Sequence, residues 1–252
     1  MKNILLINCS KRKKNTYNLL LQAQENLKRH DFNTEIINLH DYKINFCIGC
    51  ECCILKEYCV LNDDVNILME KLKKCDGFII GSPVYLNNMS GILKTFIDRT
   101  CVWFHRSDIA GKPSFLIINT QGSGAKNTLK SIEESLRQWG VFSCGHALRI
   151  GSKIHSKPLT SDELSTFMNI VCNKTEYTPS FKDVSYFSVQ KALAMNIFSL
   201  DKAFWIENNW SKLYFYPNSR INMFKKFYGQ FLYSVISKNL IKAKPNKNAI
   251  SN

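Results

Sequence analysis

Glycine and proline are scarce, at 11 and 6 of 252 residues. No Pro/Gly-rich or charged tract marks a disordered segment, and no internal repeat is evident. Long apolar runs are lacking as well. The N-terminus offers only Ile4-Leu5-Leu6-Ile7, where a secretory signal needs an apolar core of roughly 7–15 residues and a membrane helix about 20. Export is therefore not expected, and a soluble cytoplasmic protein is. Acidic residues are outnumbered, 20 against 34 Lys+Arg, for a formal net charge of +14. Such a surface favours anionic partners, but no helix-turn-helix, zinc-finger or RRM signature accompanies it. The excess is also spread out: residues 1–158 carry 22 basic against 14 acidic residues, and residues 159–252 carry 12 against 6. Nucleic acid is not an expected partner. The G-x-G-x-x-G dinucleotide fingerprint is missing. So is any Ser-His-Asp or metal-His pattern, and the five histidines are scattered. Only His105, after Trp103-Phe104, stays a candidate near a site.

What is present is alternation. Ile4–Ile7, Asn33–Leu39, Gly77–Gly81, Ser114–Asn119 and Val141–Ile150 are predicted strands, the first a continuous apolar run suited to burial on both faces. Helices are predicted over Asn15–Arg29, Asp63–Lys74 (capped by Asn62 or Asp63), Gly91–Cys101 and Lys126–Trp139. Strands separated by such helices form βαβ units, hence an α/β fold with a doubly wound, five-stranded parallel sheet. Residues 1–158 are expected to form that domain. Residues 159–252 are expected to form a mainly helical, aromatic-rich extension serving packing or dimerisation. Within it, Leu164–Cys172 is a predicted helix, and Phe224, Phe227, Tyr228, Phe231, Leu232 and Val235 recur at helical spacing. Such a stripe favours a core or dimer interface, with an anionic membrane surface as the less favoured alternative for a basic amphipathic helix. The tail from Ala243 is polar and expected to fray.

The first strand runs into Cys9-Ser10-Lys11-Arg12-Lys13-Lys14-Asn15-Thr16. A donor-rich loop between a first strand and its helix is where doubly wound sheets hold phosphate, on free N–H groups and the helix dipole. Ser10, Asn15, Thr16 and Tyr17 are the candidate donors, with Arg12 balancing charge; the plainer alternative is a basic loop that only caps a helix. Further on come Gly81-Ser82-Pro83-Val84-Tyr85-Leu86-Asn87-Asn88-Met89-Ser90, then Leu93-Lys94-Thr95-Phe96-Ile97-Asp98-Arg99, then Asn119-Thr120-Gln121-Gly122-Ser123-Gly124. In this order the segments resemble the NADPH-dependent FMN reductase and iron–sulfur flavoprotein family, which has a flavodoxin-like fold. The resemblance implies FMN as cofactor. Pro83, Val84 and Tyr85 would lie against the ring, with backbone N–H groups of Leu86 and Asn87 at its edge. Thr120, Gln121, Gly122 and Gly124 would form a second flavin-contacting loop. Asp98 and Arg99 are expected to form a structural ion pair. The loop departs from the family's frequent Gly-Ser start with Asn8-Cys9-Ser10, where Cys9 is expected to pack.

Five of ten cysteines fall between Cys47 and Cys59. Cys47, Cys50, Cys53 and Cys59 form C-x2-C-x2-C-x5-C, spacing that lets four thiolates face one cubane; Cys52 falls outside it. The motif, followed by Asp63-Asp64, resembles the loop that carries a [4Fe–4S] cluster in iron–sulfur flavoproteins. Zinc, metal-free thiols and a Cys-rich subunit contact remain as alternatives.

The family resemblance implies an NAD(P)H oxidoreductase with no catalytic side chain of its own, since hydride chemistry belongs to FMN. Electrons would pass to a small-molecule or protein acceptor, in a homodimer or higher oligomer. A non-enzymatic flavodoxin-type carrier and a cysteine-based metal or redox sensor are the competing classes.

Overall fold

A computed structural model describes residues 1–243, and the remaining tail, expected to fray, lies outside them. In chain order the elements are β1 (Asn3–Asn8), α1 (Asn15–Lys28), β2 (Asn33–Asn38), α2 (Cys52–Leu55), α3 (Val65–Lys74), β3 (Gly77–Pro83), α4 (Gly91–Arg99) and α5 (Val102–His105). Then follow β4 (Pro113–Thr120), α6 (Ala125–Gln138), β5 (Phe142–Ile150), α7 (Lys153–Ser156), α8 (Ser161–Val171), α9 (Phe181–Asn196), α10 (Ser199–Glu207) and α11 (Met223–Ala243).

The five strands form one all-parallel sheet in the order β2-β1-β3-β4-β5. The chain leaves β1 in one direction and β3 in the other, so the topological switch point lies between them, as in flavodoxin-like folds. Successive side chains of a strand point to opposite faces. Ile4 and Leu6 accordingly enter one core with Leu19, Leu20, Ala23 and Leu27 of α1 and Leu164, Phe167 and Val171 of α8. Leu5 and Ile7 enter the other, with α3, α4 and α6 supplying Leu68, Leu72, Leu93, Phe96, Ile132 and Leu136. β3 extends to Pro83 rather than stopping at Gly81, because its pairing with β4 continues through Ser82 opposite Ile118 and Pro83 opposite Asn119.

The extension is helical, and it does not stand apart. The first core runs across residue 158 to include Val184, Phe187, Trp205, Trp210, Phe215 and Tyr216. Phe215 stacks on Phe142 of β5 at 5.9 Å. Capping boxes at Thr160/Glu163 and Ser180/Asp183 start α8 and α9. At α11 only the core part of the expectation, core or dimer interface, is corrected. Phe224, Phe227 and Phe231 are 81%, 69% and 68% exposed, so the outer half of the aromatic stripe is no part of this chain's core.

Candidate functional site

Three loops meet at the carboxyl ends of β1, β3 and β4. Buried Asn8 shapes the first: its amide donates to the Ser10 carbonyl at 2.9 Å and to Asn38 Oδ1 at 2.8 Å. The Ser10 hydroxyl donates to the Arg12 carbonyl at 3.1 Å. α1 then begins with no side chain capping it and no acidic residue in its first turn. Its leading N–H groups are thus left for an acceptor from outside, in a 14-residue helix whose dipole favours an anion there. A cavity of about 290 Å³ opens at that end, lined by Ser10, Arg12, Lys14, Asn15, Thr16, Pro83, Tyr85, Asn119 and Gln121. Among the described residues, Arg12 and Lys14 have no ion-pair partner.

Thr16 ties the first loop to β4, its buried hydroxyl donating to Asn119 Oδ1 at 2.7 Å. Asn119 and Lys14 fall inside the segments singled out from the sequence but were given no role there, and the structure adds both to the cavity wall. Tyr17 sits at the loop's flank, its ring 5.9 Å from Lys13 Nζ, and does not line the cavity. Val84, Leu86, Asn87, Gly122 and Gly124 occupy the surrounding loops and Thr120 ends β4, none of them on the cavity wall.

The second loop is a tight turn. Tyr85 and Asn88 exchange backbone hydrogen bonds at 2.8 and 3.0 Å, with Leu86 and Asn87 at φ of 45° and 66°. A bulky apolar residue in the left-handed region is costly, and such strain gathers at ligand sites. Leu86 is also fully exposed, projecting apolar surface beside the cavity. Gly124, at φ +89°, packs the third loop onto this turn: a Cβ there would fall 2.8 Å from Asn87 Oδ1 and 2.9 Å from Val84 Cγ1. Its role toward its own chain is loop-to-loop contact. At Gly122 a Cβ would meet nothing within 4 Å.

The cysteine loop lies between β2 and α3. Cys47, Cys50, Cys53 and Cys59 border one small pocket of about 20 Å³, together with Ile48, Val60, Leu61 and Arg99. Among the described residues no three His, Cys, Asp or Glu side chains converge as ligands of a single metal ion. Two buried arginines hold the loop. Arg99 forms a double ion pair with Asp63, donates to the Asn45 carbonyl at 2.9 Å and reaches Cys59 Sγ at 3.3 Å. Burial raises the Asp63 carboxyl, but Arg99 and the N–H groups of Asn45 and Val65 more than offset it, and Asp63 ionises below the usual range. The expected Asp98–Arg99 pair is corrected: Asp98 pairs with Lys94 one helical turn away. Adjacent residues on a helix point apart, whereas those four apart face each other. The expected cap is revised too. Asp64 occupies the cap position of α3 without a side-chain bond, and Asp63 spends its carboxylate mainly on Arg99.

Arg106 holds the other side, donating to the Cys53 and Ile54 carbonyls at 2.7 and 3.1 Å. It is ion-paired with buried Asp201 of α10, which also accepts His105 Nδ1 at 2.7 Å. Trp205 Nε1 donates to the His105 carbonyl at 3.0 Å. His105 is thereby a strut between α5 and α10, and it does not line the cavity. Burial raises the Cys53 thiol, with Cys101, Cys59 and Cys47 adding to the shift through their charge. Cys101 is therefore a neighbour of the loop, brought by α4 without any signal in the loop's own spacing. Cys9 is fully buried, and burial alone pushes its thiol far above the ordinary range, in keeping with a packing residue.

Residues 2–154 match the NADPH-dependent FMN reductase family. The chain belongs to that family. Its class is that of the NAD(P)H-dependent flavin oxidoreductases, with FMN as cofactor. An iron–sulfur flavoprotein of Archaeoglobus fulgidus is 31% identical over 152 residues, covering 60% of this chain and 69% of its own length. A second of that name from the same organism is 42% identical over 97 residues, where the chain spans about half the relative's length (48%). Among solved structures, RosB with a bound formylated riboflavin-phosphate intermediate superposes with a TM-score of 0.50 at 13% identity. That likeness covers 97% of this chain and 82% of RosB, and it speaks for the fold alone. The family match stops near residue 154, so it leaves the extension undescribed.

Proposed function

We propose that this FMN reductase family member oxidises NAD(P)H through FMN held at the β1/β3/β4 edge, and passes electrons to a small-molecule or protein acceptor. The observation that carries the reading is the uncapped N-terminus of α1, opening onto a cavity with unpaired Arg12 and Lys14. A phosphate suits those donors. Ser10, Asn15 and Thr16 line the same wall, and Pro83 and Tyr85 offer apolar surface for a ring. The exposed turn at Leu86 and Asn87 borders the open side, where a nicotinamide would enter. FMN, when bound, supplies the hydride and electron chemistry. The protein's part is to fix the phosphate, cover one ring face and leave the other accessible.

Within the same proposal, Cys47, Cys50, Cys53 and Cys59 hold a [4Fe–4S] cluster. Their common pocket, its apolar rim and the Arg99 donor on Cys59 suit a site whose potential is tuned by burial and hydrogen bonds to sulfur. A homodimer or higher oligomer, working in the cytoplasm, is part of the reading. Its support is the exposed apolar surface around this loop, at Phe46, Ile48, Leu55, Tyr58 and Val60.

The test is anaerobic purification, followed by visible spectra before and after dithionite with iron and zinc assayed on the same sample. Flavin bands with a broad shoulder and about four irons per chain support the whole proposal. Flavin with zinc, or with no metal, removes the cluster and keeps the reductase. A colourless protein that FMN cannot reconstitute refutes it.

A further inference from the structure

The last 45 residues, 208–252, contain eight Lys or Arg and no Asp or Glu. They include α11, which packs along α9. The approach is close at Gly229, where a Cβ would stand 2.8 Å from Val184 Cγ1. Further bonds hold the inner side: Tyr228 to Ser185 at 2.7 Å and Ser237 to Asn196 at 3.1 Å. The outer side carries Phe224, Phe227, Phe231 and Val235, all exposed and three or four residues apart, so they form one stripe. Phe181 of α9 extends the patch, in edge contact with Tyr228 at 5.3 Å. Lysines frame it. Lys225 and Lys226 flank the first turn, over Phe181 and Tyr214, and exposed Lys238 and Lys242 continue the outer side.

A water-soluble protein does not ordinarily leave three phenylalanines in a row on its surface, and the charge around these selects what covers them. A second copy would bring two wholly basic segments together, and like charges oppose that. An anionic surface meets both requirements. Among the described residues no helix is long and apolar enough to cross a membrane, so α11 would lie along it. We propose that the α11 face docks this protein on anionic lipid bilayers. Phe224, Phe227 and Phe231 enter the headgroup–acyl boundary and the lysines pair with lipid phosphates. The inference is independent of the flavin and cluster, and it reverses the preference for a core or dimer interface.

The experiment is co-sedimentation of the full-length protein with phosphatidylcholine vesicles and with mixed phosphatidylcholine–phosphatidylglycerol vesicles, at low and high salt. Binding to the mixed vesicles only, weakened by salt, is expected. Each lysine near the surface is worth about a fivefold factor, so Lys238→Gln with Lys242→Gln should weaken binding roughly 25-fold by the same rule. Phe227→Ser with Phe231→Ser should abolish it while leaving the melting temperature unchanged, because those side chains are exposed. Equal binding to both vesicle types, or to neither, overturns the proposal. So does a lipid-free dimer, seen by light scattering, that Phe227→Ser with Phe231→Ser dissociates.

Discussion

Removing Asp201 should be among the most damaging single changes in the chain. Its side chain is 1% exposed and that of its partner Arg106 is 6% exposed. Truncation to alanine leaves a guanidinium buried without its counter-charge, and breaking a buried pair from one side costs about 3–5 kcal/mol. Two carbonyls, of Cys53 and Ile54, would still accept from Arg106, so the lower end of that range is expected. Against a total stability of about 5–15 kcal/mol, such a loss is large. With a urea slope of about 3 kcal/mol/M, the unfolding midpoint of Asp201→Ala should fall by roughly 1 M, followed by fluorescence of the tryptophans. Asp201→Leu combined with Arg106→Met should recover part of the loss, since an apolar replacement removes the stranded charge. The same brace predicts faster labelling of Cys53 by a thiol reagent in Asp201→Ala under native conditions. An Asp201→Ala protein within about 1 kcal/mol of the parent, no more than an average point substitution costs, would refute the reasoning.

Gly124→Ala should weaken FMN binding and cost roughly 1–3 kcal/mol, as expected for a strained residue at φ +89° whose added Cβ strikes Asn87 and Val84; fluorescence titration with FMN and thermal melts check both. Thr16→Val leaves Asn119 Oδ1 without its donor, for a loss of about 1–3 kcal/mol measurable by urea unfolding. Asp183 bonds Arg137, Ser180 and Tyr177; burial raises its carboxyl, but Arg137 and the Ser180 donors more than offset it, so it ionises below the usual carboxylate range. A depressed folded-state pKa gives stability that is present above the unfolded value near 4 and lost as pH falls through the folded value. Melting temperatures of the parent should therefore drop more steeply than those of Asp183→Asn below about pH 4; parallel curves would count against the ion pair.

How much of this was legible beforehand depends on the range of the interaction. The strands were, because Ile4–Ile7 and the apolar core of β4 sit between two helical layers and need hydrophobic residues on both faces. The cysteine spacing was, because four thiols bordering one pocket come from thirteen consecutive residues. The Lys94–Asp98 pair was also within reach, since helical periodicity alone brings residues four apart together. The bonds that hold the loops were not: Arg99 reaches Asp63 across 36 residues, Thr16 reaches Asn119 across 103, and Arg106 reaches Asp201 across 95. No local pattern encodes those partners, because each depends on the order in which the sheet and extension stack. α11 shows a different limit. Helical spacing correctly put Phe224, Phe227 and Phe231 on one face, but periodicity says only that a face is shared, not that it is covered. The helix has apolar residues on both sides, and α9 takes the side that carries Gly229 because only a residue without a side chain permits that approach. The phenylalanines are left outward by that geometry, and what meets them is decided by the charge that surrounds them.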